Sequence, residues 1–351
     1  MRPAAATILF RTVEIRLDGA SPERLNGRRL GPSYLISTLR QWSRVVRTID
    51  LWGDEVAIEE ELIGILPDFD NLEAFCVSYP PDVVNLQTIL SHVATMPSVK
   101  RLSIDFLSPW TWAKNVQFQH LRVLHLDYIE HEPGICSLPD LPVLETLTLD
   151  FYCYCLTCPE NAEGPRALLQ LDNLPRLHFL SISGAHRGSV LFCGKSESLR
   201  RLQLSGSSGL GLLSFVSKSL NTSLEELLVA DCDFSSEETG PFMACNNIQN
   251  VTLEDSISTL PLLSCLQVPA TAHLSLQINP SDFEGFKNWE RTLAFLRERR
   301  FSITLIGDKR LPARAAFPER LRQVVSLPNV TLEGPDWDSL KLADNQSNHA
   351  K

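Results

Sequence analysis

Apolar and polar positions along the chain follow one recurring unit: apolar, two residues, apolar, one residue, apolar. It occurs at Val46-Ile49-Leu51, Leu72-Phe75-Val77, Val99-Leu102-Ile104, Leu121-Leu124-Leu126 and Leu144-Leu147-Leu149. It returns at Leu177-Leu180-Ile182, Leu199-Leu202-Leu204, Leu224-Leu227-Val229 and Ile248-Val251-Leu253, with weaker echoes at Leu274-Leu276, Ile303-Leu305 and Val330-Leu332. Between middle positions the steps are 26, 27, 22, 23, 33, 22, 25, 24, 23, 29 and 27 residues. The last two apolar positions of each unit alternate, which predicts a short strand with one buried face. The first marks where the chain turns into that strand. Longer apolar stripes predict helices between strands. Residues 81–96 carry Val83, Leu86, Leu90 and Val93 at helical spacing, with Asp82 as N-cap. Residues 281–300 open with Ser281 and Glu284 at capping-box spacing and then place Phe286, Trp289, Leu293 and Leu296 along one stripe. Residues 212–220 and 318–325 are shorter stretches of the same kind.

A period of roughly 20–29 residues with this spacing is that of a leucine-rich repeat. No unit can bury its apolar face alone, so neighbours stack and their strands join into a parallel sheet. The predicted fold is therefore α/β: an irregular leucine-rich-repeat solenoid, with short parallel strands on the concave face and helices or loops on the convex face. One position departs from the standard repeat. Three residues past the last apolar residue, Asn or Cys usually satisfies backbone groups of the turn. Here that position holds Leu107, Ile129, Tyr152, Ala185, Ser207, Cys232 and Ser256. Only Cys232 fits, which predicts looser turns and uneven curvature. The repeat domain is expected over residues 23–334, between an N-terminal segment 1–22 and a polar tail 335–351. Ile8, Leu9, Phe10 and Val13 are expected to cover the first repeat.

Charge narrows the partners. With 32 basic and 42 acidic residues the 351-residue chain carries a formal charge of −10, which disfavours nucleic acid and anionic membranes, both of which need Lys/Arg clusters. No stretch approaches the roughly 20 apolar residues that span a bilayer, and the apolar patch before Arg11 is too short for a signal peptide. A cytoplasmic or nuclear chain is expected. Among nine cysteines, Cys76, Cys136, Cys193, Cys232, Cys245 and Cys265 stand singly among apolar residues, as reduced core thiols do. Glycosylation sequons at Asn250 and Asn329 run into apolar segments, where a glycan would disrupt packing.

The outward strand positions are the expected binding surface. Directly after the last apolar residue the units place Trp52, Ser78, Asp105, Asp127, Asp150, Ser183, Ser205, Ala230, Glu254, Gln277, Ile306 and Glu333. Asp105, Asp127 and Asp150 fall in three consecutive units. His125 is expected on the same face, beside Arg101. With Arg201 and Glu254 these residues form the candidate partner-binding set, suited to a basic segment of another protein. The competing reading is a solvated acidic row partly neutralised by Arg101. Cys153, Cys155 and Cys158 in the longest unit could offer three thiolates to zinc, with Cys136 or His131 as a fourth ligand. Redox-active thiols and an inserted apolar loop are the alternatives there, and no metal is assigned. No phosphate-binding, dinucleotide, zinc-protease or nucleophile-elbow motif occurs, so no catalytic residue and no cofactor are expected. The Gly-rich run at residues 206–211 follows a strand and lacks a phosphate-holding Lys, which makes it a turn.

The N-terminal run Arg2-Pro3-Ala4-Ala5-Ala6-Thr7-Ile8-Leu9-Phe10-Arg11-Thr12-Val13-Glu14-Ile15-Arg16-Leu17 resembles the trailing edge of the F-box in fungal F-box/leucine-rich-repeat proteins. Residues 35–39 and 45–52 are similar to the first repeat of that family. The Leu-Pro-x-Glu start of an F-box and its first helices are not in the sequence. The resemblance implies a substrate-recognition part of a ubiquitin ligase, docking a Skp-type adaptor only if the missing F-box is present upstream. A free-standing leucine-rich-repeat scaffold without ligase role is the alternative.

Overall fold

The computed structural model describes residues 11–18, 24–25, 28–29, 32–54, 60–78, 83–105, 116–129, 135–138, 141–151, 166–185, 190–207, 220, 222–232, 245–254, 268–278, 289–305 and 319–333. It is mixed α/β, built on parallel strands. Its strands are Thr12–Asp18 (β1), Arg24–Leu25 (β2), Arg28–Arg29 (β3), Thr48–Asp54 (β4), Ala74–Ser78 (β5), Arg101–Asp105 (β6), Val123–Ile129 (β7), Ile135–Ser137 (β8), Thr146–Phe151 (β9), Arg166–Gln170 (β10), Phe179–Ser183 (β11) and Val190–Cys193 (β12). They continue as Arg201–Ser205 (β13), Glu226–Ala230 (β14), Asn250–Glu254 (β15), His273–Ile278 (β16), Phe301–Leu305 (β17) and Val330–Glu333 (β18). The chain divides into two compact units, residues 1–180 with 188–194 and residues 181–187 with 195–351.

In the first unit β9, β7, β6, β5, β4 and β1 lie side by side and parallel, with β2 and β3 added antiparallel beyond β1. A second, three-stranded parallel sheet joins β8, β10 and β12. In the second unit β13 to β18 follow one another in parallel. The recurring apolar pairs stand level across each sheet: Val13, Ile49, Phe75, Leu102, Leu124 and Leu147 in one row, and Leu202, Leu227, Val251, Leu274, Phe301 and Val330 in another. All but Val330 on the terminal strand are buried.

Two details differ from the sequence pattern. β1 was not among the counted units, yet Val13 and Ile15 stand level with Ile49 and Leu51; the spacing Phe10-Val13-Ile15 obeys the same rule. Near the C-terminus the pair level with Leu274 and Leu276 is Phe301 and Ile303, both buried, so the expected pair Ile303 and Leu305 stands two residues out of register. Glu298 occupies the position where the unit begins, so the apolar signature slips by two residues there.

The approach to each strand explains the rest of the pattern. Leu66, Phe69 and Leu72 lie three apart, and the amides of Phe69 and Leu72 donate to the carbonyls three residues back, each at 3.1 Å. Such a three-residue turn returns every third side chain to the same side, and all three are buried. Leu171-Leu174-Leu177 repeats this with 3.0 and 3.1 Å bonds. At the strand mouth two successive amides converge on one carbonyl of the preceding strand's approach. Glu73 and Ala74 donate to Arg47 O, Lys100 and Arg101 to Glu73 O, and Glu145 and Thr146 to Arg122 O. In the second unit Glu225 and Glu226 donate to Arg200 O, and Gln249 and Asn250 to Glu225 O.

The helices match their apolar stripes. The first two are Pro32–Trp42 (α1) and Glu60–Ile65 (α2). Val83–Thr95 (α3) buries Leu86, Ile89, Leu90 and Val93, Trp289–Arg297 (α4) buries Trp289, Leu293 and Leu296, and Glu319–Val325 (α5) buries Leu321, Val324 and Val325. Asp82 and residues 212–219 and 281–288 lie outside the described residues. Asn329 donates its side-chain amide to Leu296 O at 2.6 Å and Arg297 O at 3.2 Å, satisfying orphan carbonyls at the end of α4. The Asn329 sequon is thus committed to packing, whereas Asn250 is exposed on β15.

Strands in the second unit leave through a repeated turn. Gly184, Gly206 and Asp231 have φ of 63, 54 and 49 degrees, a left-handed conformation open to Gly at no cost and to Asp at some cost. Their amides donate to Ser205 O, Ala230 O and Glu254 O in turn, at 2.8 to 2.9 Å. The residue after each is Ala185, Ser207 or Cys232. Ser207 Oγ accepts the Ala185 amide at 3.2 Å and donates to Ser205 O at 2.9 Å. Cys232 Sγ accepts the Ser207 amide at 3.4 Å and donates to Ala230 O at 3.1 Å. The expectation that only Cys232 could serve this turn was too narrow: a serine hydroxyl is also both donor and acceptor.

Among the described residues, no helix is long and apolar enough to cross a membrane.

Candidate functional site

Because strand residues alternate, the buried pairs leave three rows on the open face of the first unit's parallel sheet. The middle row is Glu14, Asp50, Cys76, Ser103, His125 and Thr148. Two residues further along each strand, Trp52 stands level with Ser78, and Asp105 with Asp127. Leu149 is level with Leu126, so Asp150 follows on the flank of Asp127. Glu14, Asp50, Asp105, Asp127 and Asp150 therefore share one face, on which Arg101, His125 and, level with Trp52, Arg16 occupy basic positions.

The three predicted aspartates have different surroundings. Asp105 accepts a 2.6 Å hydrogen bond from the hydroxyl of buried Ser78. Asp127 and Asp150 turn toward His125, whose Nε2 lies 4.0 Å from an Oδ2 of each. β7 carries a bulge at Asp127. Between Leu126 and Ile129, three residues of β7 span the rise that two residues of β9 cover from Leu149 to Phe151, and an extra residue of this kind redirects its neighbours. His125 is level with Ser103 and Thr148. Arg101 sits one pleat back, level with Ala74 and Val123, and is not beside the imidazole as the sequence suggested. The two residues precede different members of their triplets, which shifts Arg101 by about 7 Å along the strand.

Burial, followed by the charges of Asp50 and Asp105, pushes the Cys76 thiol up to about 11. Cys232 and Cys245 are likewise pushed up to about 11, chiefly by burial. All three are protonated near neutral pH, and a thiol in that state is a poor nucleophile and metal ligand. Cys153, Cys155, Cys158 and His131 lie outside the described residues.

Arg201 and Glu254 belong to the second unit. Arg201 stands level with Glu226 and pairs with it, and Glu254 stands level with Ala230 and Gln277. The open face there is mostly uncharged, with Gln203, Leu228, Thr252 and Ser275 in its middle row.

Reading only the position after each triplet missed Glu14, Asp50 and the Ser78 anchor. Asp50 lies between the two strand apolars of its unit, and Glu14 between Val13 and Ile15, which the Phe10-Val13-Ile15 spacing signals. No protein-family model matches the chain, and no curated protein matches it significantly.

Proposed function

We propose that the protein is a non-catalytic interaction module, an irregular leucine-rich-repeat solenoid whose acidic strand face docks a basic segment of a protein partner. The observation that carries this reading is five carboxylates facing outward from neighbouring parallel strands of one unit. Carboxylates held on a rigid sheet attract a basic chain and set its register, with little ordering left to do on binding. The repeat reading is supported by the recurrence, in both units, of the same apolar rows and shared-carbonyl strand mouths. The non-catalytic reading rests on the sequence, which carries no phosphate-binding, dinucleotide, zinc-protease or nucleophile-elbow motif.

The test uses a fluorescein-labelled octalysine peptide at low salt. Asp127→Lys with Asp150→Lys is expected to weaken binding at least ten-fold, and added salt to weaken the wild type. Glu197→Lys with Glu290→Lys, on exposed positions of the second unit, changes net charge equally and is expected to have a much smaller effect. Equal losses in both pairs, or none in the first, would sink the docking face.

The finer proposal is a substrate-recognition subunit of an F-box ubiquitin ligase, in the cytoplasm or nucleus. It rests on the resemblance of residues 2–17 and 35–52 to that family. An immobilised Skp-type adaptor is expected to capture the chain when upstream coding sequence is included. Failure of that longer polypeptide to bind would leave the free-standing repeat scaffold.

A further inference from the structure

One arrangement on the acidic face suits something smaller than a peptide. His125 and Asp127 lie two apart on β7 and so share a side, and Asp150 reaches the same point from β9. His125 Nε2 is 4.0 Å from an Oδ2 of each aspartate, and the three donor atoms all lie within 4.8 Å of one another. Hydrogen bonds of imidazole to carboxylate are near 2.7–3.2 Å, so the three groups ring a gap instead of bonding across it.

The size of the gap is informative. A point equidistant from three atoms so spaced lies about 2.5 Å from each, against the 2.0–2.2 Å of zinc bonds to nitrogen and oxygen. Small rotations of three side chains, each 29–37% exposed, close the difference. Two carboxylates and a neutral imidazole carry a charge of −2, which one divalent ion cancels. Asp105, the next acid along the row, is tied to Ser78 and stays out of the ring. Ser103 and Thr148, level with His125, are small and leave room for water on the ion.

We propose that His125, Asp127 and Asp150 bind one divalent transition-metal ion of the zinc class, with its remaining coordination positions open to solvent. An imidazole with two carboxylates is a nitrogen and oxygen donor set that favours such ions over calcium, which takes six to eight oxygens. Occupancy would neutralise the centre of the acidic face and so compete with a basic segment. That last consequence rests on the docking reading, whereas metal binding itself does not.

The experiment is a titration of the full chain with Co²⁺, followed by its visible spectrum, and with Zn²⁺ by calorimetry. One ion per chain is expected, without the thiolate charge-transfer band that cysteine ligands produce. His125→Ala and the near-isosteric Asp150→Asn should each weaken binding at least ten-fold, while Glu197→Gln, at an exposed position of the second unit, leaves it unchanged. Absence of binding would overturn the proposal. So would affinity unaltered in both ligand variants, or a thiolate band that survives His125→Ala, because the ion would then sit on cysteines elsewhere. If metal binds as expected but leaves octalysine affinity unchanged, the docking reading fails and the metal site stands.

Discussion

Phe75→Ala should cost about 4 kcal/mol of folding stability, the middle of the range for emptying a well-packed aromatic site. Phe75 is 1% exposed and shares its surroundings with Ile15, Ile49, Leu51, Ile63, Leu66 and Ile89, where the space left is only ≈ 10 Å³. These neighbours come from β1, β4, α2, the turn after it and α3. Their backbones are held by ladder and helix hydrogen bonds, so they cannot collapse into the vacated volume. The loss therefore includes both the transfer free energy of the ring and the cavity. Against the 5–15 kcal/mol that stabilises typical proteins, about a quarter or more would disappear. Urea unfolding measures it, with Phe75→Leu as a control expected to cost half as much or less. A cost for the alanine variant below about 1 kcal/mol would mean that these strands and helices do not share a core.

The second large effect is expected at the exit turns of the second unit. Ser207→Ala removes the acceptor of the Ala185 amide and the donor to Ser205 O together. Ala185 is fully buried, so its N–H is left without a partner at a cost of about 2 kcal/mol. Cys232→Ala does the same to the Ser207 amide, with a smaller loss because a sulfur acceptor is weaker. Since Ser207 takes part in both links, the double variant should cost less than the sum of the single ones. Ser207→Cys should restore most of the loss. Unfolding midpoints that do not move in Ser207→Ala would show that water satisfies these amides, and the ladder would lose its structural role.

Much of this architecture is local and was legible without coordinates. Burial of Ile49 and Leu51, of Leu227 and Val229, and of the stripes on α3 and α5 follows from spacing alone, because strand and helix periods decide which side chains share a face. The pattern failed where one residue broke it, as Glu298 did ahead of Phe301. It was also under-read at β1, where the Phe10-Val13-Ile15 spacing was present but uncounted. The serine in the exit turn was missed for a chemical reason: its hydroxyl does what an asparagine or cysteine would do there.

Tertiary structure alone decided which polar groups meet. Asp127 and Asp150 are 23 positions apart, and no periodicity states that the pairing of β7 with β9 brings both of them to His125. Ser78 and Asp105 likewise meet only because β5 and β6 pair in one register out of several that would bury the same apolar residues. Spacing along the chain governs what is inside. Contacts across strands depend on register and bulges, which are settled by the packing of the whole sheet.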